Sequence, residues 1–334
     1  MNMPGMQIFL LVSRVSTRWL LLLITIHTYL ILILQSKVLV ADAFHHVFTG
    51  TGALEVQLIA SKLAIKGGDT CAIIGPSDEA YVKRCLRLMY GVKAAEKMLG
   101  EDNDDDDSGA EKNDISLNMM LRFVSDGESI GEELQKADGI IIICEESPMD
   151  TKLADTLLSN ASNVQHVALL SKMGGAFKSL EDNIRKKCQS MSCDDNDENN
   201  TVAFSVIRAG ILKGGGPGHD VEAQGGEEWG LSKHYYDTKY ELGDAMTTMA
   251  FDQFTLGAKV SQGDPFKQPN FFQKIASKSS FEPKEYDTGR TAAAQALISA
   301  VRNENGCGVD VTISSEKGLT PPTAKEWDKL LDQS

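Results

Sequence analysis

Apolar residues follow two rhythms along this chain: short unbroken runs, and longer stretches in which they return every three or four positions. The first rhythm is that of strands covered on both faces, and the second is that of the helices covering them. His46–Thr49 is a short apolar strand that runs straight into Gly50-Thr51-Gly52. The helix after it carries Val56, Ile59 and Leu63 on one face, and Gly67-Gly68 supplies its stop. Cys71–Ile74 is a second strand, Glu79–Gly100 is a helical stretch, and Leu121–Asp126 is a third strand with Asp126 at its end. Ile130–Ala137 reads as a short helix and Gly139–Cys144 as a fully buried strand. Thr151–Asn160 is a crossover helix, His166–Ser171 a fifth strand, 180–188 a helix and Val202–Gly210 a sixth strand. Strands alternating with helices at this spacing predict an α/β fold built on a doubly wound, mostly parallel sheet.

The first strand, glycine turn, helix and second strand together make a dinucleotide-binding βαβ unit of the Rossmann-like kind. In such a unit, backbone N–H groups at the helix N-terminus receive a pyrophosphate. The glycine pattern is incomplete, because the third position of G-x-G-x-x-G holds Glu55. A carboxylate there crowds the helix against the strand and faces the phosphates. Two like charges about 5 Å apart in an effective dielectric of about 20 repel by about 3 kcal/mol. Two readings therefore stand side by side: a working cofactor turn, or a turn that survives only as part of the fold. At the end of the second strand the position that selects the cofactor is Gly75, followed by Pro76-Ser77. Neither an acid for a ribose nor an arginine for a 2′-phosphate is present, so NADP and NAD remain equal candidates.

The chain has 334 residues and a net charge of −14, concentrated in two runs. Glu101–Asp107 carries six acidic residues and Asp194–Glu198 carries four. Both read as solvated insertions, since neither has calcium-loop spacing. No basic patch is present, which argues against nucleic acid as a partner. The six cysteines form no C-x-x-C pair and no zinc spacing, and Cys71 and Cys144 fall in core strands. The histidines show no ligand spacing, so no metal site is expected; they read as surface or strand-end residues. Arg14 and Arg18, the apolar run Trp19–Leu34 and Ala41-Asp42-Ala43 form a secretory signal peptide cleaved before Phe44, or an uncleaved signal anchor. The Ala-Asp-Ala-Phe junction also resembles presequences of algal proteins sent to complex plastids. Any membrane contact is then through the N-terminal segment alone. Asn160-Ala-Ser and Asn199-Asn-Thr are glycosylation acceptors if the domain is lumenal.

The glycine turn, Asp126 closing strand three, Val167-Ala-Leu-Leu-Ser171 with a following Gly-Gly, and Phe204-Ser-Val-Ile-Arg-Ala-Gly210 are seen together in one family. Together they resemble the atypical short-chain dehydrogenase/reductases, in particular NmrA-like and plastid NAD(P)-binding members. Thr288–Val301 resembles that family's late helix, and Val309–Ile313 its last strand. The resemblance implies a cofactor site in which Gly50, Thr51, Gly52, Ala53 and Leu54 face the pyrophosphate. It implies Asp126 near the adenine, Ser171 near the nicotinamide ribose, and Ala209 and Gly210 beside the nicotinamide. Thr49 departs from the family's phosphate loop. The family's Tyr-x-x-x-Lys pair, in which the lysine lowers the tyrosine so that it serves as general acid, is absent between Ser171 and Val202, where Phe177 is the sole aromatic. A literal match at Tyr235–Lys239 follows the sixth strand and reads as coincidence, so no catalytic residue is assigned. Lys213–Gly218 reads as a surface linker or a mobile lid, and the aromatic-rich region 229–281 as a cap over the cleft or a small packed subdomain. The expected organisation is a signal segment at 1–43 and a Rossmann core at 44–213 with acidic insertions near 101–115 and 190–200. A substrate-side segment with the closing helix and strand follows at 214–334. The functional expectations are an NAD(P)-dependent oxidoreductase on a small substrate, or a non-catalytic nucleotide sensor or scaffold that acts through a protein partner.

Overall fold

The computed structural model describes residues 43–52, 54–100, 120–191, 202–216, 229–265, 284–303 and 308–332. The signal segment through Asp42, the 101–115 insertion and most of the 190–200 one lie outside them, as do Ala53, Cys193, His219, Cys307, Asn199 and Phe266, Phe271 and Phe272. Among the described residues no helix is long and apolar enough to cross a membrane. From Phe44 onward the chain belongs to one compact unit.

The strands are β1 (His45–Thr51), β2 (Thr70–Ile74), β3 (Leu121–Val124), β4 (Gly139–Cys144), β5 (His166–Lys172), β6 (Ala203–Ala209), β7 (Ile211–Lys213), β8 (Gly257–Gln262), β9 (Asp287–Gly289) and β10 (Asp310–Glu316). The helices are α1 (Leu54–Lys66), α2 (Glu79–Tyr90), α3 (Val92–Met98), α4 (Gly127–Lys136), α5 (Thr151–Ser159), α6 (Lys178–Met191), α7 (Lys233–Lys239), α8 (Leu242–Phe254), α9 (Arg290–Val301) and α10 (Ala324–Asp332). Eight strands form one sheet in the order β3-β2-β1-β4-β5-β6-β10-β8. All neighbours are parallel except β8, which runs antiparallel to β10 at the edge. β7 and β9 form a separate parallel pair. The strand order reverses between β1 and β4, so the glycine turn stands at the sheet's topological switch point.

Strand parity sorts the core into two layers. Ile141 and Ile143 of β4 pack with α1, α2, α9 and α10, while Ile140 and Ile142 pack with α4, α5 and α6. Each buried isoleucine contributes about 1.5–3 kcal/mol. Asp78, Asp126 and Asp150 cap α2, α4 and α5 by accepting backbone N–H bonds from Tyr81, Ser129 and Lys152, each worth about 1 kcal/mol.

The structure departs from the sequence reading at several points along the chain. The helical stretch from Glu79 is broken at Gly91, whose φ of 89° is the conformation glycine tolerates. Segment 257–262 is not part of a cap but the edge strand β8. His46 is an interior rather than a surface residue, with Nε2 2.6 Å from Asp69, whereas His166 stands at a strand end as expected, buried with Nε2 2.7 Å from Ser205 Oγ. Cys71, Cys85, Cys144 and Cys188 are buried, as small core hydrophobes should be, and burial pushes their thiols up.

Candidate functional site

β1 extends through Gly50 and Thr51, which pair with Ile143 and Cys144 of β4. Gly50 is obligatory there because a Cβ would fall 1.9 Å from the Ile143 carbonyl oxygen. Gly52 has φ 105°, and a Cβ on it would approach Glu145 Cβ at 3.1 Å and Glu146 N at 3.2 Å. Thr51 Oγ1 donates to the Ser147 carbonyl at 2.5 Å. The turn is thus built against the loop between β4 and α5. Leu54 opens α1, and Glu55 follows in its first turn with 5% of the residue exposed.

Glu55 is not left bare. Lys239, at the end of α7, places Nζ 2.6 Å from Glu55 Oε1. Burial pulls the Glu55 carboxyl upward, but Arg290 and the Lys239 hydrogen bond outweigh it and hold it below the usual range. Arg290, the first residue of α9, sends Nη2 to Glu145 Oε1 at 2.7 Å and Nη1 to the Gly214 carbonyl at 2.9 Å. Its Nε and the Glu145 Oε2 are buried with no hydrogen-bond partner among the described residues. Two carboxylates and two cations therefore converge on the glycine turn. This is the local charge balance that a diphosphate would enter, and it removes the simple repulsion that Glu55 alone implies. A turn at the switch point, a helix N-terminus, two cations and a buried donor without an acceptor together fit a dinucleotide's diphosphate.

The remaining expected cofactor residues lie along the same carboxyl edge, with differing freedom. Asp126 is exposed, and its carboxylate is occupied in capping α4 by the Ser129 N–H at 2.8 Å. Ser171 is buried at the end of β5 and donates to Glu181 Oε1 on α6 at 2.5 Å. Its hydroxyl is therefore committed to the helix-covered face. Ala209 ends β6. Gly210 donates its N–H to Thr288 Oγ1 at 3.1 Å, and a Cβ on it would lie 2.1 Å from the Tyr286 carbonyl oxygen. Ala53 lies outside the described residues.

Tyr235 and Lys239 share α7 but point to different partners. The Tyr235 phenol donates to the Gly214 carbonyl at 3.0 Å and lies 2.8 Å from the Tyr240 hydroxyl. Burial pushes it well above the ordinary tyrosine range. A general acid needs the opposite shift, so the spacing does not make a catalytic pair.

Next to Arg290 opens a cavity of about 330 Å³, lined by β7 residues Ile211 and Lys213 together with Tyr240, Thr247, Phe251 and Arg290 among others. It begins one residue beyond Gly210, where the sheet edge hands over to α8. The described part of the 229–281 region, residues 229–265, thus lines this cavity through α8 while Tyr235 and Tyr236 pack into the core.

Gly214–Gly216 is not a surface linker: these residues are buried and anchored by Asp252 of α8. The Asp252 carboxylate accepts the Gly215 N–H at 3.2 Å, the Gly216 N–H at 3.3 Å and the Tyr236 hydroxyl at 2.5 Å. Burial raises its pKa to about 7, against the hydrogen bonds that lower it. The folded state therefore holds this proton between the ordinary carboxylate range and neutrality, and stability falls as pH rises through that window. Asp252→Asn is expected to abolish this loss, which amounts to up to about 2 kcal/mol between pH 5 and 7. Melting temperatures of both proteins across pH 5–8 test it, and a pH-independent difference between them would contradict it. His45 and His166, which burial holds below their ordinary value, act with the opposite sign but cancel in this difference.

No protein-family model matches the chain, and no curated protein does. Among solved structures it is similar to Gre2 from Candida albicans in complex with NADPH, at 9% identity over 82% of this chain and 79% of that one, TM-score 0.42. It is also similar to UDP-N-acetylglucosamine 4-epimerase from Bacillus cereus, at 11% identity over 83% and 80%, TM-score 0.38. A third is UDP-glucose 4-epimerase from Brucella ovis in complex with NAD, at 12% identity over 85% and 80%, TM-score 0.37. The fold class, a doubly wound Rossmann-like α/β sheet, is defined by this chain's own strand order.

Proposed function

We propose that the chain binds a nicotinamide dinucleotide, NADP or NAD, with its diphosphate over the β1–α1 turn and its nicotinamide toward Ala209 and Gly210. The cavity beside Ile211 then receives a small substrate, which makes the protein oxidoreductase-like. The observation that carries this reading is the placement of the turn. It stands at the switch point of the sheet, and the two carboxylates at the turn are each paired with a cation, Glu55 with Lys239 and Glu145 with Arg290. A bound nicotinamide would supply hydride chemistry. The protein's own part is to seat the diphosphate at α1, to hold Gly214–Gly216 in place through Asp252, and to enclose the substrate between β7 and α8.

Thermal denaturation with NADPH, NADP, NADH and NAD in turn tests this reading. A cofactor binding only the folded state adds about 2.7 kcal/mol at a hundred times its Kd, a rise of roughly 5 °C in midpoint for a chain of this size. A rise with one pair of cofactors names it. No rise with any of the four contradicts the reading and leaves a Rossmann-shaped scaffold acting through a protein partner.

A further inference from the structure

Lys239 reaches the glycine turn from 184 residues away in sequence, and its ammonium comes to rest on a carboxylate that is almost fully enclosed. The Lys239 side chain is 51% exposed, whereas that of Glu55 is 7% exposed. Solvent, and any dissolved anion, can therefore reach the cation but not the carboxylate behind it. Arg290 stands beside this pair with 11% of its side chain exposed. Two of its nitrogens are occupied by Glu145 and Gly214, and the third, buried, has no acceptor among the described residues. The charges balance only while no ligand is present: two cations against Glu55 and Glu145. A diphosphate adds negative charge that this cluster can accommodate only by exchanging partners.

We propose that Lys239 and Arg290 form a two-cation clamp for a diphosphate ester, and that Glu55 is a resident carboxylate which the diphosphate displaces from Lys239. This rests on the proposed dinucleotide site and assigns the residues that grip it. Glu55 then has a defined effect at the third glycine position: it holds Lys239 in place before binding and weakens binding by competing for it. The exchange needs little rearrangement, because Lys239 is held at one end of a long flexible side chain whose ammonium already faces solvent. A purely structural role, a tie between α7 and α1, makes a different statement. A half-exposed ion pair contributes little to stability and does nothing to ligand affinity.

The test uses the full chain as wild type, Lys239→Met and Glu55→Gln, titrated with NADPH by cofactor fluorescence at several salt concentrations. Inorganic pyrophosphate serves as competitor, and unliganded melting is recorded for each protein. Lys239→Met is expected to bind NADPH at least about tenfold more weakly, with a shallower dependence on salt because one charge contact is gone, and with its melting temperature little changed. Glu55→Gln is expected to bind about tenfold more tightly, since the competing charge is removed. Pyrophosphate is expected to displace NADPH from the wild type. NADPH affinity in Lys239→Met within twofold of wild type overturns the clamp while leaving the dinucleotide site intact, as does weaker binding by Glu55→Gln. Loss of affinity in Lys239→Met without any competition from pyrophosphate also overturns it, because the lysine would then act on another part of the cofactor. Failure of NADPH, and of NADH titrated in the same way, to bind either the wild type or Glu55→Gln overturns the underlying reading itself.

Discussion

Arg208→Met is expected to cost about 3–5 kcal/mol of stability, the range for removing one partner of a buried ion pair. Arg208 lies on β6 with 7% of its side chain exposed, and it meets the carboxylate of Glu181, 5% exposed, with two nitrogens. Nε lies 3.1 Å from Oε1 and Nη2 lies 2.7 Å from Oε2. Nη1 bonds Asp310 on β10, and Ser171 Oγ adds a third donor to Glu181. One guanidinium thus joins β6, α6 and β10 immediately before Ala209 and Gly210. Methionine fills much of the same space but leaves Glu181 buried with only the serine hydroxyl, and the uncompensated charge sets the size of the loss. The double variant Arg208→Met, Glu181→Leu is expected to recover most of it, because an apolar pair needs no compensation. Urea unfolding of both variants checks this. A loss below about 1 kcal/mol in the single variant would mean that Glu181 finds other solvation, contradicting its enclosure between sheet and helix.

Gly50→Ala is the second large effect expected, at about 3 kcal/mol or more. The added methyl would sit 1.9 Å from the Ile143 carbonyl oxygen; the methyl is fixed directly to one paired strand and the oxygen belongs to the other, so neither can rotate away. Relief requires β1 and β4 to part at the glycine turn, so whatever folded protein remains is also expected to lose dinucleotide affinity. Gly131→Ala provides the contrast. It lies within α4 with no atom within 4 Å of its added methyl, so the change is expected to stabilise by up to about 1 kcal/mol. Equal destabilisation by the two substitutions, measured by chemical unfolding, would contradict the packing account.

The contrast between these glycines also marks what the sequence could reveal. The Gly139–Cys144 run announced a central strand, because four isoleucines in succession suit only a strand buried on both faces. The same reasoning located β1, β2, β5 and β6 to within a residue or two of their ends. β8 escaped because Lys259, Ser261 and Gln262 give an edge strand little apolar signature. Ser171 was placed at the correct strand end, but its direction depends on the register of β5 against its neighbours, and that register turns it toward α6. The cations that neutralise Glu55 were the least legible of all. Their partnership with the turn joins α7 and α9 to α1 through tertiary packing, and no local spacing encodes it. The Tyr235–Lys239 spacing is legible locally, but the two side chains go to different partners and do not support the chemistry that spacing suggests.

Hydrogen–deuterium exchange with and without saturating dinucleotide addresses the central claim most directly, because it reads where the ligand sits independently of any turnover. The site described above requires slowed exchange in peptides covering the β1–α1 turn, residues 50–58, and the loop after β4, residues 144–149, with little change at the β8 edge. Unchanged exchange at the turn in the presence of a cofactor that measurably binds would place the ligand elsewhere and contradict the account.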